Sequence, residues 1–460
     1  MNAYDLDVLV IGGGGSGGFT AATTAMKNGA RVGMVEHGRL GGLCILAGCM
    51  PSKTLLHGAA QVKELGVPGK AAYPRLAAFK RAVVDHLASG RAQTVADKEK
   101  AGLKLYRGRA RFVDPHTVEV DGRLISAAAV VLATGSREMV PPLPGLEAAG
   151  FLTAEGFMDL TDLPHSLAVL GGGAIALELA QFAARMGVAT TLIQRGQDLL
   201  SGEDPRVGAL LRRALEDDGV TVFTGTELKE VSRDPEGRTV RFSHQGQPRA
   251  VAAQQVLLAM GRRPNIEGLD LAAAGVEVRG GAPLVDRFLR ASAPHIFAAG
   301  DVTGVMMVVN LAVAQGEVAG HNASRPDEPR AMDDRVMPRA VFTDPQFASV
   351  GLNAVRARAA GLDFLEADYD LGSMGVARTY TQEVRGLMTM RAERGNGRVI
   401  GADLVAPEAS LMIHDVAVAM KLHGTAQDLA GIPYIHPSLA EVTNFTAGRL
   451  AKDLSRTRRG

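Results

Sequence analysis

Only two cysteines occur in the 460-residue chain, Cys44 and Cys49, in the stretch Cys44-Ile45-Leu46-Ala47-Gly48-Cys49-Met50-Pro51-Ser52-Lys53. Two thiols are too few for a disulfide scaffold or a four-ligand zinc site, so no metal is expected; either both are inert or they form one redox pair. In a continuous helix their Cα atoms would lie about 8.6 Å apart, beyond the roughly 7 Å that a disulfide spans. A redox pair therefore requires a non-helical loop up to Cys49. Pro51 suits the first turn of a helix, so Cys49 is expected near a helix N-terminus, where the dipole and Lys53 stabilise a thiolate.

Two glycine clusters could hold phosphates. The first, Gly12-Gly13-Gly14-Gly15-Ser16-Gly17, follows a strand-like run at 6–11 and precedes an Ala-rich helical stretch at 19–26 and a second strand at 31–36. Gly12, Gly14 and Gly17 would let a pyrophosphate approach the helix N-terminus, and Glu36 ends the next strand where a carboxylate grips ribose hydroxyls. The second cluster, Gly171-Gly172-Gly173-Ala174-Ile175-Ala176, repeats the pattern between runs at 167–170 and 177–186, with a strand at 190–194. Its acidic position is replaced by Gln194-Arg195. Without a carboxylate to repel a 2′-phosphate, and with Arg195 available to pair with it, NADPH is expected over NADH.

These elements imply an architecture. Pro-rich punctuation at 140–145 and Gly261-Arg262-Arg263-Pro264-Asn265 bracket the second nucleotide unit. The apolar run from 296 to Ala299-Gly300-Asp301 reads as a strand returning to the first unit, which makes the second an insertion. From about 335 strand-like runs at 339–343 and 386–391 precede a helical stretch at 408–422, the signature of a third, mixed domain. Residues 450–460, rich in Arg and Lys, read as a frayed tail.

Composition narrows the function. Fifty Lys and Arg against 49 Asp and Glu leave a net charge of +1, which excludes the basic excess that nucleic acid binding needs. No apolar run is long enough for a membrane span. Asp5 and Asp7 stand where a secretory signal would be positively charged, so a cytoplasmic location is expected. Glycine, at 55 of 460 residues, is about 12% where about 7% is usual, which fits backbone built for close approach to ligands.

Taken together, the motifs resemble the dithiol-containing pyridine nucleotide-disulfide oxidoreductases, among them dihydrolipoamide dehydrogenase, glutathione reductase and mercuric reductase. The resemblance covers nearly the whole chain. It is carried by Gly12 to Gly17, Glu36, Gly41 to Lys53, Ala133-Thr134-Gly135, Gly171 to Glu178, Gly261 to Asn265, Ala299 to Asp301 and His436-Pro437-Ser438-Leu439-Ala440-Glu441.

The resemblance implies an α/β fold with two Rossmann-like domains followed by an α+β dimerisation domain. FAD would occupy residues 1–147 and 265–334, NAD(P) an inserted domain at 148–264, and residues 335–460 would form the dimer contact. It implies that the first finger, Thr134, Gly135 and Asp301 bind FAD, that Gly171, Gly173 and Gly261 belong to the nucleotide sites, and that Lys53 pairs with Glu178 beside the flavin. Cys49 would face the flavin, Cys44 would meet the substrate, and His436, oriented by Glu441, would shuttle its proton. A homodimer with shared active sites follows from the same likeness.

Departures bear on the substrate. Mercuric reductases use an extra C-terminal cysteine pair that this chain lacks, so mercury reduction by that route is not expected, although Ala176-Leu177-Glu178-Leu179-Ala180-Gln181 and Phe342-Thr343-Asp344-Pro345-Gln346 look more like that enzyme. Glutathione reductases usually carry an Arg in the first helix, where this chain has Thr23-Thr24. The expected substrate is a lipoamide-like dithiol or another small disulfide. A mercuric-reductase-like enzyme is the alternative, and a low-turnover flavin-bearing redox sensor or complex subunit is the alternative of another class.

Overall fold

The run Leu6-Asp7-Val8-Leu9-Val10-Ile11 forms strand β1 (Leu6–Ile11), with Leu6, Val8, Leu9 and Val10 fully buried. A near-continuous apolar run suits a central parallel strand covered on both faces. The computed structural model describes residues 4–381 and 383–457. The chain divides into two units: one holds residues up to Leu55, Pro74–Val140 and Gly261–Asp334; the other holds Leu56–Tyr73, Pro141–Met260 and the residues from Arg335 on.

In the first unit β1 pairs in parallel with β2 (Val32–Glu36) on one side and with Arg123–Leu132 on the other. Lys104–Arg107 extends the sheet beyond β2, and Ile296–Ala298 adds a parallel strand against Val130 to Leu132. A strand from beyond the middle of the sequence therefore joins the sheet begun at Leu6. Helix α1 (Ser16–Lys27) and the helix Val309–Ser324 pack closely because both present glycine: a Cβ on Gly17 would lie 2.9 Å from the Ala312 carbonyl oxygen, and one on Gly316 would lie 2.3 Å from that of Gly17.

The second unit contains a parallel sheet in the order Thr221–Phe223, Ala189–Ile193, Ser166–Leu170, Gln255–Leu258. Its C-terminal part is a five-stranded antiparallel sheet, with Arg339–Val341 and Phe364–Asp370 at its edges and Val399–Ala406 in the middle. Met388, Met390, Leu404, Ile413, Val416 and Val442 share one core between this sheet and the helices Ala409–Lys421 and Glu441–Thr457. The expected frayed tail is instead helical as far as Thr457, because Leu450 and Leu454, four residues apart, bury on one helix face. Residues 458–460 lie outside the described residues.

Buried charge also specifies this sheet. Arg391 is 1% exposed and donates to Glu366 at 2.6 Å and to Asp403 at 2.6 Å. Burial pushes the Asp403 carboxyl pKa up, and the Arg391 guanidinium opposes it. Arg391→Leu is expected to cost about 3–5 kcal/mol, since it strands a buried carboxylate, whereas Arg391→Leu with Asp403→Leu should regain part of that loss. Denaturation midpoints of the three proteins check this; an equal loss in the double variant would contradict it.

Candidate active site

The cysteine segment is shaped by glycine. Gly41 and Gly42 have φ of +138° and +60°, and a Cβ on Gly42 would lie 2.5 Å from the Gly15 Cα, so the segment presses directly on the loop before α1. Cys44 lies in helix α2 (Gly42–Leu46), and Cys49 begins helix α3 (Cys49–Leu65). The expectation of a non-helical stretch up to Cys49 is thus corrected. Only Ala47, with φ of −150°, and Gly48 interrupt the helices, and that break is enough to change the direction of the chain between the sulfurs. Pro51 occupies the first turn of α3, and Ser52 donates to the Cys49 carbonyl at 3.1 Å.

Both cysteines are half-buried. The hydrogen bond with Cys49 pushes the Cys44 thiol pKa up, burial and the negative charge of Cys49 add to this, and Lys53 and Arg91 oppose it. Cys49, at the N-terminus of α3, sits where the helix dipole favours a thiolate.

The first glycine loop is tightly packed at Gly12, Gly13 and Gly14. The Gly14 N–H donates to Glu36 at 3.0 Å, and the Gly38 N–H donates to the same carboxylate at 3.0 Å. A Cβ on Gly14 would lie 2.6 Å from Glu36, and Gly12 has φ of +87°. Close packing continues one residue beyond Gly17, since a Cβ on Gly18 would lie 2.4 Å from the Gly12 carbonyl oxygen. Helix α1 has no side-chain N-cap and no acidic residue in its first turn, so its leading N–H groups suit the pyrophosphate of FAD.

The other expected flavin residues converge on one junction of the first unit. Thr134 donates to the Asn265 carbonyl at 2.6 Å, and the Asn265 N–H donates to Gly135 at 2.9 Å. Ser136–Glu138 and Arg262–Pro264 pair antiparallel, and the Met139 N–H donates to Gly261 at 3.0 Å. Arg262 donates to the Ser136 hydroxyl at 2.9 Å, which in turn donates to Asp301 at 2.6 Å. Sequence reasoning missed Ser136 and Gln315, whose amide oxygen accepts the Gly300 N–H at 2.8 Å. Neither carries a sequence signal, since each works only through a partner more than ten positions away.

In the second unit Gly171 has φ of +125°, and a Cβ on Gly172 would lie 2.7 Å from the Gln194 side chain. Helix Ala174–Arg185 starts at Gly173 with no side-chain cap and no acidic residue in its first turn. Gln194 donates to the Ser201 hydroxyl at 3.2 Å, and Arg195 is exposed. The Glu178 carboxylate on the same helix accepts the Phe342 N–H at 2.9 Å.

His436 and Glu441 do come together. Glu441 heads the final helix, with one carboxylate oxygen 3.0 Å from His436 Nδ1 and the other accepting the Ser438 N–H at 3.0 Å. Ser438 first, then His436, hold the Glu441 carboxyl below the usual carboxylate range. With Nδ1–H engaged by Glu441, Nε2 is left to exchange protons. The imidazole is 81% exposed and lines an open cleft of about 600 Å³ with Gly375, Val376, Thr379, Tyr380 and Pro437.

Comparison with known proteins places the chain in a family. Residues 6–316 match the pyridine nucleotide-disulphide oxidoreductase family, and residues 337–446 match its dimerisation domain. A mercuric reductase of Staphylococcus aureus is 33% identical over 98% of this chain and 84% of its own length. A dihydrolipoyl dehydrogenase of Geobacillus stearothermophilus is 31% identical over 96% of this chain and 95% of its own. Among solved structures, the HOCl-induced flavoprotein disulfide reductase RclA from Escherichia coli superposes with a TM-score of 0.85 at 28% identity, over 96% of this chain and 99% of that one.

Proposed function

This chain belongs to the pyridine nucleotide-disulphide oxidoreductase family, and we propose that within it Cys44 and Cys49 form the redox pair that reduces, or reversibly oxidises, a small dithiol or disulfide. The family contains FAD, takes electrons from NAD(P)H and dimerises through the C-terminal domain. The observation that carries the reading is the placement of the two thiols: Cys49 starts α3, and its hydrogen bond with Cys44 pushes the Cys44 thiol pKa up.

In this reading Gly12, Gly14, Gly17, Glu36, Thr134, Gly135 and Asp301 hold FAD in the domain formed by 1–147 and 265–334. Gly171, Gly173, Gln194 and Arg195 hold the nicotinamide nucleotide in 148–264, and Gly261 stands near the end of that segment. Bound FAD supplies two-electron transfer between the nicotinamide and the dithiol. Cys44 passes its proton to His436 and, as thiolate, attacks one sulfur of the substrate disulfide, and the thiolate that leaves takes that proton back from His436. Cys49 then attacks Cys44, expels the second thiolate, which takes its proton from solvent, and closes the Cys44–Cys49 disulfide. The pair loses two electrons and the substrate gains them with two protons.

His436 is supplied by the partner subunit in this account. The support is its own exposure together with that of Ile435 at 80% and Tyr380 at 61%, apolar surface beside a proton-transfer pair in a domain of the dimerising type. Among the described residues no helix is long and apolar enough to cross a membrane. A cytoplasmic location suits a chain whose two cysteines are kept for exchange.

A panel of lipoamide, glutathione disulfide, coenzyme A disulfide and mercuric ion, offered to the anaerobically reduced enzyme, tests the substrate class. Reoxidation by a disulfide is expected; reduction in a single burst with no turnover on any member would identify a redox sensor instead. NADPH is expected to exceed NADH in kcat/KM by about tenfold, the worth of one charge-assisted contact to a 2′-phosphate. Gln194→Glu should reverse the order, and a wild-type preference for NADH would leave Arg195 as a surface charge.

A further inference from the structure

Helix α4 (Gly69–Lys100) buries one face through Ala77, Val84, Ala88 and Val95, spaced as a helical stripe requires. Two cations interrupt that stripe, Lys80 and Arg91. Lys80 is 3% exposed and partnered. Arg91 differs. Its guanidinium lies 4.3 Å from the centroid of the Phe19 ring on α1, its Nη1 is sealed from solvent, and Nη1 has no hydrogen-bond partner among the described residues. Burial pulls its pKa down, and the nearby Cys44 sulfur is the charge that opposes this.

A half-buried guanidinium with an unsatisfied donor is costly to hold in a folded protein unless something accepts from it. The face of Phe19 satisfies the cation but not the N–H groups, which lie in the guanidinium plane. The planar donor fork matches a carboxylate. Its neighbour is the thiol assigned to meet the substrate. Thr23 and Thr24 carry no charge, so α1 offers no cation at those positions for a substrate anion.

We propose that Arg91 anchors a carboxylate of the disulfide substrate while Cys44 attacks its sulfur, so that the enzyme selects anionic small disulfides over neutral ones. The assignment rests on Cys44 being the substrate-facing thiol. Sequence reasoning passed over Arg91, one of the two cations on a mostly apolar helical stripe.

Two matched pairs of probes test it. Lipoate and lipoamide share one dithiolane ring and differ in a carboxylate against an amide. Wild-type kcat/KM should favour lipoate, and in Arg91→Gln the lipoate-to-lipoamide ratio should fall about tenfold, with Arg91→Lys retaining most of it. Iodoacetate and iodoacetamide provide the same contrast without turnover: the Cys44 thiolate forms an S–C bond, iodide leaves, and the thiol proton goes to solvent. In the reduced protein the iodoacetate-to-iodoacetamide rate ratio at Cys44, followed by peptide mass, should also fall about tenfold in R91Q and recover in R91K. A wild-type enzyme indifferent to the carboxylate, an unchanged ratio in R91Q, or an equal slowing with both reagents would overturn the anchor. A shifted alkylation ratio with no turnover of either dithiolane would uphold the anchor and reject the small-disulfide reading.

Discussion

Anaerobic two-electron reduction is expected to give this enzyme a long-wavelength absorbance band that Cys49→Ser abolishes and that Cys44→Ser shows already at rest. The band reports a thiolate held against the flavin. Cys49 is the sulfur placed to carry that charge, because it begins α3, where the helix dipole favours a thiolate. Replacing Cys44 removes the partner with which Cys49 would form a disulfide, so the thiolate persists without reduction. Either substitution should lower disulfide turnover by at least about a thousandfold, since each thiol performs a step the other cannot. A band that survives in Cys49→Ser would reverse the assignment of the two sulfurs.

The second large effect concerns His436. His436→Ala is expected to lower disulfide turnover by about a hundredfold to ten-thousandfold, the usual range for loss of a positioned acid-base group. When inactive His436→Ala and inactive Cys49→Ser proteins are unfolded and refolded together, activity should return. If sites form across the dimer, a heterodimer has one site with both lesions and one with neither, so random pairing should regain about a quarter of wild-type activity. If each site is built within one chain, every site keeps a lesion. No recovery, with mixed dimers confirmed by mass, would refute the shared site.

Much of this was legible in the sequence because it is local. The run at 6–11 forms a strand with those ends, and Glu36 closes the second strand as expected. The return of the chain at 296 was also readable, since Ile296–Ala298 does join the first sheet. His436 and Glu441 are five residues apart, and their hydrogen bond is geometry within one motif.

What escaped depends on partners distant in the chain or on cooperative packing. Cys44 was expected in a non-helical loop because a single helix cannot bring the sulfurs together; two short helices broken at Ala47 and Gly48 solve the same problem. The basic tail was read from its charges, whereas Leu450 and Leu454 decide that it is helical. Ser136, which links Arg262 to Asp301, and Arg91, which meets Phe19 across two helices, acquire meaning only once the chain has folded.

The central claim is that electrons pass through the Cys44–Cys49 pair, and counting thiols tests it most directly. The enzyme is reduced anaerobically with one equivalent of NADPH, and protein thiols are counted by alkylation and protein mass, apart from any product thiols, before and after one equivalent of an accepted disulfide. Two thiols per chain should appear on reduction and vanish as the disulfide is reduced, in step with loss of the long-wavelength band. Flavin that is reduced and reoxidised while the thiol count stays constant would put both cysteines off the electron path and contradict the account.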